Sequence, residues 1–134
     1  MCHALTGAVE GRDPRLQRRR DPAYHGAVDT GRIERWDEIP LERVTEMVSR
    51  KVFVGDRQVM VQVHLLRGTH VPVHCHESEQ MIYVLQGALR CSVGGREVTV
   101  KEGDVLHVPA GVRHQAKALE DTFQIVVFGE APRE

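Results

Sequence analysis

The feature that most constrains this chain is its punctuation. Short runs rich in β-branched residues cover 48–54, 57–66, 71–76, 80–86, 89–93, 96–100, 105–108, 113–118 and 122–128, and Gly, Pro and Asp turn signals separate most of them. No segment sustains a helical period. In 57–66, Val59, Val61, Val63 and Leu65 recur at alternate positions, which in a strand is one face; Met60, Gln62, His64 and Leu66 form the other. Gly94-Gly95 sits between two runs as a two-residue hairpin signal. Closely spaced short strands of this kind build an all-β antiparallel sandwich or barrel.

The chain has 134 residues and a formal net charge of −1. That is one domain's worth of material, with no electrostatic case for binding nucleic acid. Three cysteines, Cys2, Cys75 and Cys91, do not make a disulfide framework and fit a reducing compartment. No apolar run approaches the ~20 residues of a membrane span, and no apolar h-region of a secretory signal opens the chain. The expectation is a cytoplasmic protein with no membrane partner. Residues 1–31 lack periodicity and mix Arg18-Arg19-Arg20 with Glu10, Asp13, Asp21 and Asp29. They read as a flexible or disordered extension, with residues 32–134 as the folded domain.

Of eight histidines, six (His64, His70, His74, His76, His107 and His114) fall between residues 64 and 114. Half-buried strands do not require that. His74 and His76 stand at i and i+2, so a strand aims both imidazoles the same way and Cys75 the other. His114 follows a Pro-x-Gly turn and opens another run, so it can converge on them. Imidazoles suit Zn, Fe, Ni, Mn, Co or Cu. Glu77, Glu79 and Gln80 are the candidates to complete such a site.

The spacing around these histidines forms two strings. The first is Gly68-x5-His74-x-His76-x3-Gln80-x6-Gly87, and the second is Gly103-x5-Pro109-x-Gly111-x2-His114. Together they closely resemble the paired motifs of the cupin superfamily, over roughly residues 36–128. The resemblance implies a single-domain double-stranded β-helix, a jelly-roll β-barrel, and a homodimer. It also implies one divalent transition metal per chain on His74, His76, His114 and a fourth ligand. The family's usual Glu position is held by Gln80, the residue from which the spacing to Gly87 counts. Glu79 then has the opposite parity. Ala118 replaces the family's final Asn. A neutral Gln leaves the charge of a divalent ion uncompensated by the protein, which favours an anionic or enolate-like substrate.

Within the family, the stretch PVHCHESEQMIYVLQGAL is similar to small bacterial cupins of pectin breakdown, which linearise unsaturated uronates. Those cupins carry an Asp two residues before a Phe and an Arg four residues after it. Here Val126 stands where that Asp would be, and Arg133 comes five residues after Phe128. The resemblance therefore implies a metal-dependent isomerase, lyase or dioxygenase for a small sugar-acid, enol or diketone-like substrate, with a non-catalytic binding or sensing module as the alternative. His64 and His107 are the candidate catalytic acid–base groups. Cys75, Cys91 and Tyr83 are expected in the core, His70 on a loop, and Trp36 over one end of the barrel.

Overall fold

The computed structural model describes residues 31–129. The extension expected over residues 1–31 therefore lies, but for Gly31, outside the described residues, as does Arg133. A 3-10 turn at Trp36–Glu38 leads into ten strands. They are β1 (Glu42–Arg43), β2 (Val48–Val54), β3 (Gln58–Leu65), β4 (His70–His74), β5 (Gln80–Gln86), β6 (Ala88–Val93), β7 (Arg96–Lys101), β8 (Val105–Val108), β9 (His114–Ala118) and β10 (Thr122–Gly129). Nine of them match the runs read from the sequence. The tenth, β1, is two residues long, too short to show an alternation.

All strand pairs are antiparallel. They form a six-stranded sheet, ordered β1-β2-β3-β10-β5-β8, and a four-stranded sheet, ordered β4-β9-β6-β7. Among the described residues the strand pairing gives two separate sheets, and no pairing between them is seen. A single apolar core draws on both sheets: Val52, Val61, Val63, Ile82, Val84 and Val126 from the larger, Val71, Leu89, Cys91, Val100 and Ala118 from the smaller. Strand alternation explains the arrangement, since β2 and β10 bury every second residue. No helix among the described residues is long and apolar enough to cross a membrane.

Three glycines hold the layout. The β6–β7 hairpin turns on Gly94 and Gly95, with φ of 56° and 83°, the pair of left-handed positions that a type I′ turn demands. Gly87, φ 96°, joins β5 to β6 where a Cβ would lie 2.5 Å from the Asp121 carbonyl and 2.6 Å from Thr122 Oγ1. That contact lets the chain cross from the larger sheet to the smaller.

Several side-chain expectations are overturned. Tyr83 is 41% exposed, because the parity opposite to Gln80 on β5 is the outer face of the sheet. Cys75 is exposed, although Cys91 is buried as expected. On β3 the valines take the interior and leave Met60 and His64 outside. Burying four β-branched or Leu side chains outweighs turning the polar set inward. His70 opens β4 and does not lie in a loop.

Candidate metal centre

The four-stranded sheet and the segment just after β4 supply three imidazoles. His74 ends β4 and pairs directly with His114, the first residue of β9. His76 lies two residues past His74, and its carbonyl accepts the Gly111 amide at 2.8 Å. The turn of the second string thereby braces a histidine of the first. Ring centroids are 4.2 Å apart for His74–His114, 5.0 Å for His76–His114 and 5.4 Å for His74–His76. One ring nitrogen from each lies within 4.8 Å of the others, in a group that could hold a metal ion.

Hydrogen bonding sets which nitrogen that is. His74 Nδ1 donates to the Pro72 carbonyl at 2.7 Å, His76 Nδ1 to Ser78 at 3.1 Å, and His114 Nδ1 to Val112 at 2.9 Å. A carbonyl can only accept, so each Nδ1 carries the proton and each Nε2 keeps its lone pair. Nε2 of His76 and of His114 is buried with no partner. Leaving a buried polar atom unpaired costs free energy, and a cation at the centre would satisfy these atoms together.

The protonation states agree. Burial pushes His74 down to about 4, with the neighbouring His114 and His76 rings acting in the same sense and the Pro72 carbonyl opposing. His114 is also lowered, first by burial and then by His76, against the Val112 carbonyl. Neutral imidazole is the form that binds metal.

Gln80 opens β5 on the six-stranded sheet, opposite Phe128 and Val108. It is 3% exposed and its Oε1 has no partner. Glu79 points outward, and its carboxylate lies 3.0 Å from His107 Nε2. Among the described residues the histidine group itself contains three buried imidazoles and no carboxylate. Such a set fits a divalent transition metal and leaves its charge to be met by another ligand.

The two expected acid–base residues stand elsewhere. His64 is exposed on the outer face of β3, stacked on Phe123 with centroids 4.5 Å apart and planes 19° off parallel. Burial and then Lys51 lower its pKa. The His107 side chain is 55% exposed on β8 and is held by Glu79. Neither belongs to the histidine group. Parity explains both, since His64 follows buried Val63 and His107 precedes buried Val108.

One residue escaped sequence reasoning. Ser78 is 9% exposed, its Oγ is buried without a partner, and its carbonyl orients His76. The signal was present: His74, His76, Ser78 and Gln80 alternate, and all four are buried.

Comparison with known proteins gives the family and the fold. The model of the cupin domain matches residues 61–128. An uncharacterised protein of Streptomyces coelicolor is 27% identical over 99 residues, 73% of this chain and 94% of that one. The structure of KdgF from Halomonas sp. superposes with a TM-score of 0.71 at 29% identity, covering 77% of this chain and 96% of that one. An RmlC-like cupin from Shewanella frigidimarina gives a TM-score of 0.71 at 22% identity over 78% and 95% of the two chains.

Proposed function

The chain belongs to the cupin family, and on that premise we propose that it is a metal-dependent enzyme acting on a small, oxygen-rich and anionic substrate. The observation that carries this reading is the group of three buried imidazoles, in which His76 Nε2 and His114 Nε2 have no partner; the buried, unpartnered Oε1 of Gln80 supports it as the fourth ligand. In this reading His74, His76, His114 and Gln80 hold one divalent transition metal, which when bound acts as a Lewis acid on a substrate oxygen. The chain's own contribution is orientation. Three backbone carbonyls fix the imidazole tautomers, and all three histidines are buried. A neutral donor set favours a substrate that brings negative charge, such as a sugar acid or an enol.

Isomerase, lyase and dioxygenase chemistry all fit a Lewis-acid site. Linearisation of unsaturated uronates fits least, because buried Val126 occupies the position of the expected acid. A non-catalytic binding module is the second reading, favoured by the outward positions of His64 and His107. We read the chain as a cytoplasmic homodimer with a jelly-roll barrel; the apolar outer face of its larger sheet supports the dimer.

Metal titration of the repleted protein tests the site. His74→Ala is expected to lose most of the metal, and Gln80→Ala to weaken it about tenfold or more. Glu79→Ala should leave it nearly unchanged. A wild-type protein holding well under one metal per chain would sink the reading, and a larger effect at Glu79 than at Gln80 would transfer the fourth ligand to Glu79. A substrate screen run with and without oxygen then separates dioxygenase from isomerase or lyase.

A further inference from the structure

We infer that the Ser78 hydroxyl binds the exogenous ligand of the metal, donating a hydrogen bond to the anionic oxygen or anion at the open side of the site. The inference rests on the metal reading above and deepens it. Ser78 lies midway between His76 and Gln80, in the bend that joins β4 to β5. It is 9% exposed, and its Oγ is buried with no hydrogen-bond partner.

A hydroxyl offers one donor and two lone pairs, and burying it unsatisfied is costly. Ala would fill the same space without that cost, so the hydroxyl needs a partner that the described residues do not supply. The nearby acceptors in sequence are His76 Nε2 and Gln80 Oε1, themselves unpartnered. Once a cation takes those lone pairs, the donor of Ser78 is left for whatever the cation binds. His64 and His107 lie on the outer face and do not compete for the role.

Ser78 also acts through its backbone, because its carbonyl accepts from His76 Nδ1. Replacing it by Ala removes the hydroxyl and keeps that carbonyl, so the two contributions separate. The experiment uses the full-length chain loaded with cobalt(II), with azide as the probe anion, followed by visible spectroscopy. Ser78→Ala is expected to bind azide about tenfold more weakly, the loss of one hydrogen bond to a charged acceptor. Its cobalt stoichiometry and azide-free spectrum should match wild type. Ser78→Thr, which keeps a hydroxyl, should recover most of the affinity.

Equal azide affinity in Ser78→Ala and wild type, at full cobalt loading, overturns the role of Ser78 and leaves the metal site standing. Loss of cobalt itself from Ser78→Ala also overturns it, since the hydroxyl would then serve the metal and not its ligand. Failure of the wild type to take up cobalt overturns the metal reading and this inference with it.

Discussion

At the scale of single residues, the site is a competition between burial and charge. His74 and His114 are held neutral mainly by burial, and each is opposed by a carbonyl that its own Nδ1 needs. The consequence for pH follows by linkage. In the unfolded chain these histidines titrate near 6.5, and in the fold His74 titrates at about 4. Between those values the unfolded state binds more protons, so stability rises with pH across the window and is lost as pH falls from about 6.5 towards 4. Thermal melts of chelator-treated protein should show this loss. His74→Gln should shrink it, because Gln cannot take the proton. Parallel pH profiles for the two proteins would show that His74 is not responsible. Charge also separates Glu79 from Gln80: the carboxylate turns outward to His107, while the neutral amide accepts burial.

At the scale of strands and turns, what the sequence revealed was periodicity, and what it withheld was which side of the period faces in. The valines of β3 and the i, i+2 pair of His74 and His76 were legible because their spacing alone puts them on common faces. Convergence of His114 was legible through the Pro-x-Gly turn, and its pairing with His74 follows from the sheet. Tyr83 and His64 were misread because a strand pattern is symmetric under exchange of its faces, and only packing against the second sheet breaks the symmetry. Cys75 follows the last residue of β4, where strand parity no longer implies a buried partner. Turn glycines can be ranked the same way. Gly87 and Gly95 both have positive φ, but a Cβ at Gly95 meets nothing within 4 Å, whereas at Gly87 it runs into Asp121 and Thr122. Gly95→Ala should cost about 1 kcal/mol, the strain of the backbone conformation alone. Gly87→Ala should cost roughly 2 kcal/mol or more, lowering the melting temperature by about 10 °C. Equal losses at the two positions would show that the close approach at Gly87 is relieved by a small shift of the β10 turn.

At the scale of the whole molecule, the unexplained surface is the outer face of the six-stranded sheet. Strand register places Phe53, Met60, Val127 and Met81 in one row, and Ile125, Tyr83 and Val105 in the next. Met60, Met81, Tyr83 and Val105 are 39%, 45%, 41% and 62% exposed. Contiguous apolar surface of this kind marks an interaction site. A second copy of the chain is the occupant the pattern favours. A two-fold interface must be self-complementary, and an apolar centre satisfies that in any register. Charged pairs border the apolar rows, Arg32 with Glu34 at the β2 side and Glu79 with His107 at the β8 side. Light scattering of the eluting protein should give a dimer for wild type and a monomer for Met81→Lys combined with Tyr83→Lys. The metal content of the two should be equal, because both substituted side chains point away from the histidines. A monomeric wild type, or a dimer that survives both lysines, would move the interface off this face.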